Sequence, residues 1–148
     1  MIEFNIPYYS NNIVQLDLLN QGYLGYIKKV HFFFLKQFKF KSLLTSSCTD
    51  ALEMSAILSN IKPGDEVILP SYTFVSTANA FLLRGAKLIF IDTESNFPNI
   101  DANKIEEHIT KKTKAIICVH YGGFSCNMGK LLELKKKYNF ILIEDAAQ

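Results

Sequence analysis

The sequence has 148 residues, of which 49% are hydrophobic and 20% are charged, and its formal net charge is +2. This length fits one ordinary domain and is too short for two complete ones, and the composition excludes an intrinsically disordered chain. The lysines are scattered among acidic residues, which argues against nucleic acid as the main partner. The longest aromatic cluster, Phe32 to Leu35, is far shorter than the ~20 apolar residues that cross a bilayer, so we expect no membrane span.

The cysteines are three in number, Cys48, Cys118 and Cys126, and none forms a C-x-x-C pair. Their spacing therefore indicates neither a disulfide framework nor a zinc site. Free cysteines favour a reducing compartment, and we expect a cytoplasmic protein. The amino terminus lacks the basic segment and apolar stretch of a secretion signal.

Short apolar runs alternate with segments of helical period from residue 43 onward, which predicts an α/β fold. We expect three layers, with a mostly parallel sheet flanked by helices. The chain divides on this basis into an irregular or helical segment, 1–42, and an α/β domain, 43–148. In chain order, the predicted strands are 42–45, 66–69, 87–91, 115–119 and 140–143, and the predicted helices are 32–40, 49–61, 75–83, 101–111 and 128–138.

Two of these helices are predicted with a defined apolar face. Asp101 is the expected N-cap of the fourth helix, in which Ile105 and Ile109 lie four residues apart. In the last helix, Leu131, Leu132 and Leu134 are expected to face the sheet. The three lysines that follow, at positions 135–137, are expected to point outward. Arg84-Gly85 is the expected end of the helix predicted over 75–83.

The first candidate site is the segment TSSCTDALEM, residues 45–54, where a predicted strand ends and a helix begins. In open parallel sheets, ligands bind beyond the carboxyl ends of the strands. Free backbone N–H groups at a helix start bind phosphate well. Ser and Thr are also the usual N-cap residues, so an ordinary helix cap explains the segment equally well.

Two further strand ends have residues with chemical potential. Phe74 follows a strand and a Pro-Ser-Tyr turn, where its ring could stack on a flat heterocycle, although most phenylalanines are core residues. Asp145 ends the run IED, and a carboxylate there can hold a pyridinium nitrogen in its protonated form. The alternative is that Asp145 caps a following helix.

Three segments together resemble the DegT/DnrJ/EryC1/StrS family of sugar aminotransferases: SSCTDALEM, IKPGDEVILPSYTFVSTANAFLLRGAKLIFID and IEDAAQ. The resemblance covers residues 43–148. It implies part of the large domain of a fold-type I transferase that depends on pyridoxal 5'-phosphate (PLP), working as a homodimer. We expect the C-terminal part of that domain and the small domain to be absent from this chain.

The resemblance also implies roles for particular residues. The backbone of Thr49 and Asp50 is expected to hold the cofactor phosphate, and Phe74 to stack on the cofactor ring. Asp145 is expected to pair with the ring nitrogen, and Gln148 to lie near the phenolic oxygen. The resemblance assigns no catalytic residue and no metal ligand to this chain.

The implied reaction converts dTDP-4-keto-6-deoxyglucose to dTDP-4-amino-4,6-dideoxygalactose with glutamate as amino donor, a step in surface polysaccharide or lipopolysaccharide synthesis. Family members attach PLP through a lysine beyond the EDAAQ motif, and no lysine follows that motif here. We therefore expect the isolated chain to be inactive. Two alternatives stay open: a non-catalytic α/β binding or interaction module, and one half of a split aminotransferase. The G-x-G-x-x-G turn of a dinucleotide-binding module is absent after the first predicted strand.

Overall fold

The computed structural model describes residues 23–148. These residues fall into two compact units, which divide between Leu44 and Thr45. None of the helices among residues 23–148 is long and apolar enough to cross a membrane. The predicted segment 1–42 lies partly outside the described residues, so its extent stays a prediction.

The described part of the first unit contains the helix α1, Tyr23–Phe38. The helix predicted over 32–40 is thus confirmed, although it begins earlier and ends two residues sooner. Aromatic rings pack against one another near its end: the Phe34 ring centroid lies 5.8 Å from that of Phe38 and 5.5 Å from that of Phe40. The aromatic residues of this stretch therefore form a local cluster.

The second unit contains a parallel sheet of four strands, β1 Glu66–Pro70, β2 Lys87–Ile91, β5 Thr113–Val119 and β6 Ile141–Asp145. Their order in the sheet is β2-β1-β5-β6. Its helices are α2 Cys48–Leu58, α3 Val75–Leu82 and α4 Met128–Tyr138. A small antiparallel hairpin, β3 Thr93–Glu94 and β4 Phe97–Ile100, follows β2. The predicted α/β fold with a mostly parallel sheet is confirmed.

The sheet is covered on both faces because side chains alternate along each strand. On one face, Val67 and Leu69 of β1 share a buried cluster with Leu52 of α2 and Phe81 of α3. On the other face, a second buried cluster joins strands β1 and β5 to α4 through Ile68, Ile116, Leu131 and Leu134. Two apolar layers on one sheet give the predicted three-layer architecture.

The end of α3 lies where the sequence predicted it. Gly85 has a φ of +81°, a conformation that glycine adopts without steric cost. A Cβ atom at this position would lie 2.8 Å from Cγ of Pro63. Both the backbone angle and the close approach of the Pro63 turn therefore require glycine here.

The predicted helix over 101–111 is wrong. Only Glu106–His108 forms a single 3₁₀ turn, and its hydrogen bonds span three residues, as in His108 N–H to Ile105 O at 3.0 Å. The Asp101 carboxylate accepts the Asn103 N–H at 3.1 Å and closes a local turn instead of capping a helix. Ile105 is nevertheless fully buried, so the apolar spacing reflected packing of a loop.

Two smaller predictions are also wrong, and the β3–β4 hairpin was not predicted. Residues 42–45 form no strand, since both Leu43 and Leu44 are exposed and β2 and β6 are the edges of the described sheet. Leu132 does not face the sheet: it is 47% exposed, whereas Leu131 and Leu134 are buried. A helix turns 100° per residue, which separates neighbouring positions onto different faces.

A buried acid begins strand β1. The Glu66 carboxylate accepts hydrogen bonds from Thr110 Oγ1 at 2.6 Å and from Lys87 Nζ at 3.0 Å. Lys87 is its direct neighbour on β2. The hydroxyl of Thr110, and then the ammonium of Lys87, lower the pKa of Glu66 below its ordinary value. The amino end of the sheet is therefore closed by a paired charge.

Replacing Leu131 by Ala should destabilise the chain by about 2 to 5 kcal/mol, because it opens a cavity beneath α4. Leu132→Ala removes the same atoms one position along and should change stability by less than about 0.5 kcal/mol. Urea denaturation followed by circular dichroism measures both. Equal losses for the two variants would contradict the assigned face of α4.

Candidate functional site

The carboxyl ends of the strands form the edge at which a ligand is expected. The chain runs from β1 to β2 on one side and then to β5 on the other, so the strand order reverses between β1 and β5. Crevices at such a reversal are the usual ligand sites of open α/β sheets. The segments that follow β1, β5 and β6 meet at this edge.

Asp145 ends strand β6 and is buried. Its Oδ2 accepts the Thr77 hydroxyl at 3.0 Å, and its Oδ1 accepts the Ala147 N–H at 3.1 Å. The Cys48 thiol lies 3.7 Å from Oδ1. The carboxylate is fixed in one orientation at the edge of the sheet.

A chain of hydroxyl groups supports this carboxylate. Thr73 Oγ1 donates to Thr77 Oγ1 at 2.9 Å, and Thr77 in turn donates to Asp145. Sequence reasoning missed both threonines, since they meet Asp145 only through space. Their spacing of four residues at the start of a helix was the one available signal.

The predicted phosphate turn is a capped helix start. The Ser47 hydroxyl accepts the Asp50 N–H at 3.1 Å, and the Ala51 N–H makes the first helical bond, to Ser47 O at 3.1 Å. The amides of Cys48 and Thr49 precede that first bond and have no recorded acceptor among the described residues. They are the groups that can bind an anion here.

Two helix starts are joined at this point. The Thr49 hydroxyl of α2 donates to the Ser76 hydroxyl of α3 at 2.9 Å. The Asp50 carboxylate accepts the Ser46 hydroxyl, and the Ser46 and Ser47 hydroxyls lower the pKa of Asp50. The positive ends of two helix dipoles and several hydroxyls therefore converge on one side of the edge.

Phe74 and Gln148 lie on a neighbouring part of the edge. Phe74 precedes α3, and its side chain is 73% exposed, so the alternative of a core residue is wrong. The Gln148 side-chain oxygen accepts the Gly122 N–H. Both residues line a cavity of about 240 Å³ with Tyr72 and Tyr121. Asp145 lines a second cavity, of about 600 Å³, between α2 and β6.

His120 follows strand β5 and is paired with an acid. Its Nε2 lies 3.1 Å from Glu144 Oε2, and its Nδ1 accepts the Cys126 N–H at 3.2 Å. Burial alone would lower the pKa of His120, but the hydrogen bond to Glu144 and the nearby Cys126 raise it above the ordinary value.

Residues 36–148, more than half of the chain, match the model of the DegT/DnrJ/EryC1/StrS aminotransferase family. The chain belongs to this family. The resemblance identified from the three sequence segments is confirmed.

Similar proteins of the DegT/DnrJ/EryC1/StrS family include two curated relatives. The spore coat polysaccharide biosynthesis protein SpsC of Bacillus subtilis is 35% identical over 152 residues, covering 99% of this chain and 39% of SpsC. The GDP-perosamine synthase of Caulobacter vibrioides is 42% identical over 100 residues, covering 68% of this chain and 27% of the synthase. This family member thus spans about a quarter to two fifths of the length of these relatives.

A solved structure supports the fold assignment. NtdA from Bacillus subtilis, determined with bound cofactor PMP, superposes with a TM-score of 0.77 at 35% sequence identity. The match covers 83% of this chain and 28% of NtdA. The described sheet and helices therefore have the fold of an aminotransferase large domain.

The His120 pKa should lie above the ordinary histidine value of ~6.5, and Glu144→Gln should lower it. A raised pKa means that protonated His120 contributes stability at pH values below ~6.5. This contribution disappears as the pH rises through the raised value. Glu144→Gln should therefore destabilise the chain more at pH 5 than at pH 9. Histidine ring signals followed by NMR across this pH range measure the pKa directly, and an unchanged value in Glu144→Gln would contradict the pairing.

Proposed function

We propose that the carboxyl edge of the sheet binds PLP and that the chain forms part of a sugar-nucleotide aminotransferase. Asp145 is the observation on which this proposal depends. Its carboxylate is buried, fixed by Thr77 and the Ala147 N–H, and open to a cavity beside the start of α2. Family membership and the PMP bound to NtdA support the same cofactor.

The Asp145 environment fits the nitrogen of a pyridine ring. A carboxylate beside that nitrogen favours its protonated form, which gives bound PLP its capacity to accept electrons from the substrate. Thr73 and Thr77 orient the carboxylate through their hydrogen bonds, so little reorganisation accompanies binding. These two threonines act as positioning residues.

The start of α2 fits a phosphate group. The amides of Cys48 and Thr49 and the hydroxyls of Thr49 and Ser76 are its donors. The Asp50 amide donates to Ser47 in this structure, so it can reach a phosphate oxygen only if the Ser47 hydroxyl moves away. The Ser47 hydroxyl oxygen thus occupies the position at the helix start that an oxygen of a bound anion would take.

The exposed Phe74 ring and Gln148 complete the proposed contacts. A flat ring lying on Phe74 would cover apolar surface that is otherwise in water, which favours stacking. Gln148 accepts the Gly122 N–H through its side-chain oxygen, so its amide nitrogen can donate to a phenolic oxygen.

The proposed substrates are dTDP-4-keto-6-deoxyglucose and glutamate, and the proposed assembly is a homodimer. The amino-acid sequences of residues 51–54 and 70–87 resemble those of family members that aminate this sugar nucleotide, and this similarity supports the choice of substrate. The relatives named as GDP-perosamine synthase and as a spore coat polysaccharide protein support the broader class of sugar metabolism. The substrate assignment depends on the cofactor assignment.

Pyridoxamine 5'-phosphate should bind the purified chain, and Asp145→Asn should weaken its binding by roughly 10- to 100-fold. A charge-assisted hydrogen bond contributes about 1.5 to 3 kcal/mol, and the amide keeps the shape but removes the charge. Isothermal titration calorimetry measures the affinity. The amine form of the cofactor is the suitable probe because PLP itself reacts with surface lysines.

Asp92→Asn is the matched control, since Asp92 also follows a strand at the carboxyl edge and its Oδ1 accepts the Thr93 N–H. It should leave the affinity unchanged. Equal weakening by both variants would show that general charge, not Asp145, governs binding. Complete absence of binding to the folded chain would overturn the cofactor proposal and favour a non-catalytic α/β module.

Turnover is tested separately. The chain is incubated with PLP, glutamate and either dTDP-4-keto-6-deoxyglucose or GDP-4-keto-6-deoxymannose. Mass spectrometry should detect no amino sugar, because no lysine of this chain follows the EDAAQ motif to bind PLP covalently. Product from the dTDP sugar would contradict the expected inactivity while supporting the substrate. Product from the GDP sugar alone would contradict both the expected inactivity and the proposed dTDP-sugar substrate.

A further inference from the structure

Three soft ligand atoms meet on the face of the sheet opposite Asp145. The sulfur atoms of Cys118 and Cys126 and a ring nitrogen of His120 all lie within 4.8 Å of one another. Cys118 and His120 are two residues apart along β5 and its end, so they point to the same face. Cys126 comes from the loop before α4. No part of the proposed cofactor site uses these side chains.

The cluster is buried and held in place. Cys118 is 0% exposed and Cys126 is 4% exposed, and both thiols are free. The Cys126 thiol donates to Val119 O at 3.1 Å, and the Cys118 thiol lies 3.7 Å from Ile143 O. The His120 side chain is 15% exposed, so the cluster is open to solvent only on the histidine side. A strand and a helix-flanking loop fix all three residues.

His120 has the orientation of a metal-binding histidine. Its Nε2 faces the Glu144 carboxylate at 3.1 Å, which leaves Nδ1 directed toward Cys126. A carboxylate that accepts the distal N–H of a histidine fixes the tautomer and makes the other nitrogen a better ligand. This arrangement is typical of histidines that bind zinc.

The charges of the cluster favour a divalent cation. The two buried thiols and the His120 ring lie together, so they would enclose a divalent cation with donors that can balance its charge. A buried charge is costly unless it is paired. Two thiolates and one neutral imidazole around a divalent ion form a complex without net charge. If Cys118 and Cys126 were only packed in the core, the pairing of Glu144 with His120 would have no role in their environment.

We propose that Cys118, His120 and Cys126 bind one Zn²⁺ ion, with a water molecule from the histidine side as the fourth ligand. Zinc prefers this donor set at about 2.3 Å from sulfur and about 2.0 Å from nitrogen, which places the donors roughly 3.4 to 3.8 Å apart. The three atoms need only a small inward movement from their present separation. Both thiol protons leave to solvent on binding, and His120 Nδ1 gives up the hydrogen bond from the Cys126 N–H to bind the metal.

The test uses the reduced full chain, freed of metal with a chelator and titrated anaerobically with Co²⁺ and then Zn²⁺. We expect the visible bands of tetrahedral Co²⁺ and a thiolate charge-transfer band at one equivalent, both removed by one equivalent of Zn²⁺. Cys118→Ser and Cys126→Ser should each weaken binding by at least about 100-fold, since each removes a ligand. Octahedral Co²⁺ bands, or binding that survives both substitutions together, would overturn the proposal.

Cys48→Ser is the matched control, because it removes the third thiol, which lies near Asp145. It should leave zinc affinity unchanged, and loss of binding in this variant would contradict the assigned ligands. Glu144→Gln keeps all three ligands and should weaken zinc binding by about 10- to 100-fold. This variant keeps the test valid if the buried serine variants fail to fold, and unchanged affinity would count against the proposal.

Mass spectrometry of the chain purified without reductant gives an independent result. One bound zinc and two thiols protected from alkylation until the zinc is removed are expected. A disulfide between Cys118 and Cys126 without bound metal would overturn the proposal in favour of a redox pair. Pyridoxamine phosphate affinity should be the same with and without zinc, so failure of this site is distinguishable from failure of the cofactor site.

Discussion

Strand β1 is the constraint on which the other parts of the structure depend. All five of its residues are buried, and it lies between β2 and β5 in the parallel sheet. A strand with helices over both faces can place polar side chains only at its ends. The chemistry of the molecule is therefore concentrated where the strands stop. The hydroxyls after β1 and the carboxylate that ends β6 meet at one edge for this reason.

The two faces of the sheet have different chemistry because side chains alternate. Asp145 projects toward α2 and α3, where the helix starts and hydroxyls form the proposed cofactor site. Its neighbour Glu144 projects to the other face and contacts His120. Two adjacent residues therefore face different surroundings. Asp145 contacts hydroxyl groups on one face, and Glu144 contacts the histidine of the cysteine cluster on the other. The two sites share a strand but no side chain.

Prediction from the sequence succeeded where local patterning determines structure. Strands β1, β2 and β5 each contain an uninterrupted apolar run, and α4 has a clear apolar stripe, so their positions followed from the sequence pattern. The helix over 101–111 failed because the spacing of Ile105 and Ile109 is also compatible with a loop whose side chains pack on the sheet. The spacing of apolar residues indicates which side chains are buried. It indicates a helix only where the backbone also forms helical hydrogen bonds.

The candidate site was predictable in part for a related reason. Asp145 and Phe74 follow strands, and the topological rule for parallel sheets directs attention to such positions. Thr77 and the cluster of Cys118, His120 and Cys126 were not predicted, since their partners are distant in sequence or lack a recognised ligand spacing. Contacts of this kind depend on strand order, which a single sequence does not contain.

Glu66, at the opposite end of β1, has a consequence for how the chain folds. A slip of β1 by two residues that moved Glu66 toward the middle of the sheet would keep every apolar side chain on its proper face, so hydrophobic patterning alone permits it. The same slip would separate Glu66 from Lys87, its partner on β2, and from Thr110. An unpaired carboxylate would then enter the interior, at high cost in free energy. The paired acid therefore selects one strand alignment among several that the apolar residues would accept.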